Sequence, residues 1–361
     1  MAIKIRTFGT LRDGRSAQLF TLTNANGTEA SFTDMGAAWV SMTVQDRTGE
    51  PGDVLLGYDH PQYYADNHGF LGACVGRNAN RIAGGSFRLD GKEIRLEKND
   101  NNRNNLHSGP NFFGGELFQA ETEESKLGSR VCFHLKSESG KQGYPGNLEF
   151  TVSYTLTDTD SVMIEYRAVS DETTIINPTN HAYFNLKGHG AGDILGQEVW
   201  INADRFTPVD PWLIPTGELR ETAGTALDFT WNKPIGQDIE APEEQLTIAG
   251  GFDHNYVING FDGTLRLAAR VKDPESGRML KVYTDLPGIQ FYTGNFLGEN
   301  QALGKGDVSY GFRAGYCLET QYFPDAVHHP EWKQAVFRAG EEYHHFTVYQ
   351  FISGMDEGEA D

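Results

Sequence analysis

Residues 148–157 read LEFTVSYTLT, with an apolar side chain at every second position. Leu148, Phe150, Val152, Tyr154 and Leu156 alternate with polar neighbours, and that period of two gathers them on one face only in a half-buried β-strand. SVMIEYRAV follows after TDTD, so the two runs make an antiparallel hairpin. The same pattern recurs elsewhere. TLRLAARV and RMLKVYTD flank KDPESG, a loop holding Pro and Gly, and GSFRLDGKEIRLEKN turns at Asp90-Gly91, a dipeptide suited to a tight type I′ turn. Amphipathic helices of about 12 residues or more are missing from the pattern. Short helical turns are expected only near PQYYADN and TALDFTWN. No Pro- or Ser-rich linker and no repeat divides the chain, so residues 1–361 are expected to form one all-β domain, a large antiparallel β-sandwich with two sheets face to face.

Charge then narrows the choice of partner. Lys and Arg total 30 against 50 Asp and Glu, a formal net charge of -20. A chain this acidic is repelled by nucleic acid and by anionic membranes, so neither is an expected partner. Cys74, Cys132 and Cys317 are far apart and odd in number, which argues against a disulfide framework or zinc cluster and for a reducing compartment. The opening MAIKIRTFGT lacks the apolar centre of a signal peptide, and no run of about 18 apolar residues occurs, so the expected location is the cytoplasm.

Three strand-like stretches carry polar faces where apolar ones are usual. In NPTNHAYFNL (177–186), alternation groups Asn177, Thr179, His181, Tyr183 and Asn185. In GIQFYTGNFL it groups Gln290 with Tyr292, and in GYCLETQYF it groups Cys317, Glu319 and Gln321. A single strand histidine is commonly just a satisfied polar group, and Glu319 could be neutralised by an arginine such as Arg313. Three such faces together suit instead the floor of a groove that hydrogen-bonds a polyhydroxylated ligand, with aromatic rings against its C–H faces. GRNANRIAGGSF (76–87), the Asn-rich loop NDNNRNNLHSGP holding His107, and FDHNYV with Asp253 add further candidates.

Taken in order, GRNANRI, NNLHSG, NPTNHAYFNL, FTPVDPWLIPTGE, DHNYV, IQFYTGN and LETQYFPDA make a chain that resembles the aldose 1-epimerases, or galactose mutarotases, over most of its length. The resemblance implies a galactose mutarotase-like β-supersandwich, a free monosaccharide as partner, no cofactor and no metal. It implies His181 as the proton donor and Glu319 as the proton acceptor. Asn80, Arg81, His107, Tyr183, Asp253 and Gln290 would contact the sugar. Ser108 stands where the family usually has glycine, and NFFGGELF replaces the usual run after it.

Those residue types suit the implied chemistry. Opening a pyranose removes a proton from the C1 hydroxyl and delivers one to the ring oxygen. A carboxylate is a natural base for the first step, and a protonated imidazole a natural acid for the second near neutral pH. The sequence has no GxGxxG after a strand, no Walker loop and no HExxH. The pairs His328-His329 and His344-His345 are expected in loops or on the surface, since adjacent strand residues point to opposite faces. Three rival readings share parts of this pattern. A sugar-phosphate epimerase would need several cations at the pocket, from among Arg77, Arg88, Lys98 and Arg103. A non-catalytic carbohydrate binder would need no acid/base pair, and a glycoside hydrolase would need a second carboxylate opposite Glu319, for which Asp253 is the candidate.

Overall fold

The alternating hairpin sits inside the largest sheet. In the computed structural model, which describes residues 2–66, 69–298 and 302–354, Leu148–Thr157 pairs with Ser161–Ser170, setting Leu156 opposite Val162 and Phe150 opposite Ala168. Seven more strands extend this pair to a nine-stranded antiparallel sheet, from Gln119–Glu124 at one edge to Lys233–Pro234 at the other. The Gln119–Glu124 edge exposes Glu121, Glu123 and Glu124, and this row of like charge discourages another strand from adding to it.

Two five-stranded sheets cover the large one. The first takes its strands in chain order from Ala2–Thr10 to Pro51–Asp53; the second runs Arg220–Glu221, Arg205–Thr207, Asp253–Val257, Gly288–Tyr292, Cys317–Gln321. Both meet one face of the strand Glu342–Ile352, because Thr347, Tyr349 and Phe351 alternate onto it. Trp39 of the first sheet lies edge-on to Tyr349 and Phe351 at 5.6 and 6.1 Å. From the second sheet, Leu318 accepts a hydrogen bond from the Tyr349 hydroxyl at 2.7 Å. The expected all-β sandwich is therefore present, built as one wide layer against two narrower ones.

The turn at Asp90-Gly91 behaves as read: both residues have left-handed backbone, φ 49° and 78°, as a type I′ turn requires. A helix forms at Pro61–Ala65, where the side chain of His60 caps Gln62. TALDFTWN holds turns but no helix, and the helix Glu244–Ala249 had no clear sequence signal. No helix among the described residues is long and apolar enough to cross a membrane.

The stretch 177–186 departs most from its expected form. Only Thr179–Asn180 is a strand, paired with Cys74–Val75. Around it the chain stays extended but is passed between neighbours: Asn177 bridges Asn78, and Phe184 bridges both Leu55 and Tyr316. The alternation survives this. Ala182, Phe184 and Leu186 enter the core, with Phe184 5.7 Å from Trp39 and 5.4 Å from Tyr349. Phe184 thus anchors the segment that carries His181. Phe184→Ala is expected to cost about 3–5 kcal/mol of unfolding free energy. Urea denaturation measures it, and a loss below about 1 kcal/mol would show that the anchor lies elsewhere.

Candidate active site

Three adjacent strands place their side chains in rows. Asp253 lies opposite Tyr292, which lies opposite Cys317; the next row on the same face is Asn255, Gln290, Glu319. On the other face Ile289, Phe291 and Leu318 join the core. The second wall comes from the 181–183 segment. His181 is tied by its amide to the carbonyl of Ala73 and by its carbonyl to the amide of Gly72. Phe184 exchanges both backbone hydrogen bonds with Tyr316, at 2.8 and 3.0 Å. That clamp lies three residues from His181 on one segment and three from Glu319 on the other, so it fixes the two segments relative to each other.

Between these walls opens a cavity of about 700 Å³. Asn80, Arg81, His107, His181, Tyr183, Asp253 and Glu319 all line it. His181 Nε2 lies 3.7 Å from Glu319 Oε1, both side chains being almost completely buried. The His107 ring is 5.2 Å from that of His181 and nearly perpendicular to it, while Phe70 lies 4.6 Å from His107 and 5.6 Å from His181. Tyr183 and Tyr292 add to the aromatic lining.

Gln290 does not reach the cavity wall among its lining residues. It stands behind Asp253, donating from Nε2 to Asp253 Oδ1 at 2.7 Å, and Gln321 donates to its Oε1 at 3.2 Å. Asp100 was not singled out in the sequence, though it sits in the quoted Asn-rich loop. It lines the cavity and accepts from Arg81 Nε at 3.0 Å, holding the guanidinium in place. Tyr292 was legible as a member of the polar face. Phe70, Leu213 and Phe296, which also line the cavity, belong to no periodic pattern that marks them.

His107 is held by Asn80. The Asn80 amide donates to His107 Nδ1 at 3.1 Å, and the His107 amide donates to the Asn80 carbonyl at 2.9 Å. A backbone N–H can only donate, so Nδ1 is the bare nitrogen and the His107 proton sits on Nε2. Asn80, His107 and Ser108 all have left-handed backbone, with φ of 58°, 51° and 68°. Each such non-glycine residue costs about 1–2 kcal/mol, and strain of this kind concentrates at functional sites. Ser108 offsets part of its share: Oγ accepts from the Asn78 amide at 2.8 Å and donates to the Asn78 carbonyl at 3.1 Å. Serine here keeps the loop shape while adding a tether that glycine lacks.

The electrostatics run against free charge. Burial pushes His107 well below the ordinary imidazole value and takes His181 down to about 4. Burial, reinforced by the Asp253 carboxylate, pushes Glu319 well above 4.5. The cavity therefore favours a neutral imidazole over the imidazolium expected from sequence. Glu319 Oε2 is buried with no hydrogen-bond partner, and Arg313, the alternative partner considered for it, pairs instead with Glu240.

His107, His181 and Glu319 each offer an atom within 4.8 Å of the others, near enough to share a metal ion. Because Nδ1 of His107 is already an acceptor, its remaining nitrogen carries a hydrogen rather than a free lone pair, and proton exchange fits this trio better than metal ligation. The paired histidines lie elsewhere: His328 on Asp325, His344 on Glu165, and His345 beside Tyr322 and Asp285. None of Arg77, Arg88, Lys98 and Arg103 lines the cavity. Arg77 is buried and spends its guanidinium on the carbonyls of Ser137, Glu138, Pro145 and Gly146, and Arg103 lies 4.7 Å over the ring of Trp212.

Known proteins share both sequence and fold with this chain. Residues 18–350 match the family described as aldose 1-epimerase. Galactose mutarotase of Bos taurus is 43% identical over 316 residues, 88% of this chain and 89% of its own. Aldose 1-epimerase of Escherichia coli (strain K12) is 38% identical over 343 residues, 94% of this chain and 97% of its own. The crystal structure of galactose 1-epimerase from Lactobacillus acidophilus NCFM superposes with a TM-score of 0.83 at 26% identity, covering 97% of this chain and 99% of that one. With the blocks that carry the sequence resemblance gathered around one cavity, these matches settle its relationship: the chain belongs to the aldose 1-epimerase family.

Proposed function

We propose that this chain interconverts the α and β anomers of free aldoses such as glucose and galactose, with His181 giving a proton to the ring oxygen and Glu319 taking one from the C1 hydroxyl. The observation that carries the reading is the 3.7 Å approach of His181 Nε2 to Glu319 Oε1 inside one hydrogen-bonding cavity. The hydroxyl and the ring oxygen are both bonded to C1, so an acid and a base this close can serve the two at once. Names of the relatives, galactose mutarotase and aldose 1-epimerase, support the same substrate class. A sugar phosphate fits less well, because Arg81, the cation that lines the cavity, is already paired with Asp100. The three cysteines are unpaired, which supports a reducing, cytoplasmic setting.

Proton accounting explains how neutral surroundings help. The competent pair holds one proton, on His181, with Glu319 ionised. As the C1–O5 bond breaks, O1 loses its proton to Glu319, O5 gains one from His181, and C1 becomes an aldehyde. The pair is then neutral, the arrangement that burial favours. The cavity thus favours the ring-opened sugar relative to the closed one, and closure on the other face of C1 returns both protons. His107, Arg81 and Asn80 would meet the sugar oxygens with N–H donors, and Asp253, braced by Gln290, would accept from a hydroxyl.

Polarimetry on freshly dissolved α-D-glucose and α-D-galactose tests the roles. Glu319→Gln and His181→Asn are each expected to slow catalysed mutarotation by about 10²–10⁴-fold. A rate unchanged in either variant removes that residue from its role, and a wild-type protein that accelerates neither sugar removes the activity. A second proton enters at His181 as pH falls toward about 4, and the last one leaves at the raised value of Glu319, so kcat/KM should be bell-shaped. Asp253→Asn takes away one cause of the high Glu319 value, and the alkaline limb should shift to lower pH. If that limb stays put, the proton is held elsewhere.

A further inference from the structure

Arg81 is held at both ends. Asp100 takes its guanidinium, and its main chain is held by Asp325, which lies just beyond the strand Cys317–Gln321 that carries Glu319. The Asp325 amide donates to the Arg81 carbonyl at 3.0 Å, and the Ala83 amide donates to Asp325 Oδ1 at 2.9 Å. A backbone N–H can only donate, so the direction of both bonds is fixed. The strand Arg81–Ile82 is two residues long and pairs with Asn105–Leu106, itself only two residues. Such a pair is too short to fix its own place, and Asp325 supplies the missing hold on either side of Ile82. Asp325 is buried and has left-handed backbone, φ 58°, a conformation that aspartate and asparagine tolerate better than most residues. His328 Nδ1 lies 2.7 Å from the same carboxyl oxygen and steadies its direction.

We propose that Asp325 is a positioning residue, which docks the Arg81 segment onto the chain that carries Glu319 and so places the Arg81 guanidinium for the sugar oxygens. Asp325 is not among the residues that line the cavity, so it acts through Arg81 and not on the sugar. Arg81 does line it, next to Asn80, whose side chain accepts from the Arg81 amide at 2.8 Å. Two aspartates thus divide the work. Asp100 aims the head of the side chain, and Asp325 sets the backbone from which it projects. Without the Asp325 carboxyl, Ala83 loses its acceptor and the segment can drift while Asp100 still holds the guanidinium.

The effect on sugar affinity rests on the activity proposed above; the docking does not. Asp325→Gly suits the left-handed backbone and keeps the amide that meets Arg81, but it removes the acceptor for Ala83. It should raise KM for glucose and galactose by roughly five- to twentyfold and leave kcat within about threefold, the size of one lost hydrogen bond and a loosened contact. Asp325→Asn keeps both the acceptor oxygen and the tolerance for this backbone, and should stay within about twofold of wild type in both constants. Amide hydrogen exchange in the full chain, read by NMR, tests the docking without catalysis. The Ala83 amide should exchange at least about tenfold more slowly than a free amide in the wild type and the asparagine variant, and lose that protection in the glycine variant. An unprotected Ala83 amide in the wild type overturns the proposal, and this measurement needs no variant to fold. So does a glycine variant with unchanged KM, one that loses kcat alone, or an asparagine variant no better than glycine. A chain that catalyses no mutarotation would sink the functional reading and still leave the exchange rates decisive for the docking by Asp325.

Discussion

A carboxyl group without a cation partner governs this molecule. Glu319 is buried, one of its oxygens has no hydrogen-bond partner, and the nearest ionisable neighbour among its direct partners is an imidazole that burial keeps neutral. Desolvating a lone carboxylate is costly, and the group responds by holding its proton more tightly. Much of the surrounding structure keeps that arrangement from relaxing. The Phe184–Tyr316 clamp fixes the facing wall, the amide chain Gln321–Gln290 braces Asp253, and Asp100 engages the Arg81 guanidinium. A guanidinium directly on Glu319 would hold the carboxyl ionised and lower its proton affinity.

Strain tells a similar story at the opposite wall. Asn80, His107 and Ser108 take left-handed backbone that none of them prefers, and the reciprocal hydrogen bonds between Asn80 and His107 hold them there. The free energy stored in the loop is returned as orientation, an imidazole whose N–H points inward and an arginine immediately after Asn80 whose amide caps the Asn80 side chain.

Alternation made the strands and their two faces legible: the hairpin at 148–170, the turn at Asp90-Gly91, and the core-facing set Ile289, Phe291 and Leu318 all follow from a period of two. The same period placed Cys317 and Glu319 together and His181 with Tyr183. It failed where the chain changes partners. Residues 177–186 look like one strand because alternation is a property of extended backbone, whereas sheet membership depends on neighbours distant in sequence. Gln290 shows the second limit. Its face was readable, but that it braces Asp253 rather than lining the cavity depends on the strand beside it. Asp100 and Phe70 come from loops, whose side-chain directions have no period to reveal them.

The paired rows across Asp253–Val257, Gly288–Tyr292 and Cys317–Gln321 have one more consequence. Cavity-facing and core side chains alternate on the same three strands, so the site and the folding share a single reading frame. Slipping any of these strands by one position would push carboxyl and amide groups into the hydrocarbon interior and turn phenylalanine and isoleucine out toward the sugar. A misaligned sheet would lose its stability together with its reactive groups. Correct alignment is therefore enforced by the hydrophobic core itself, and the active groups inherit their registration from residues that never meet the substrate.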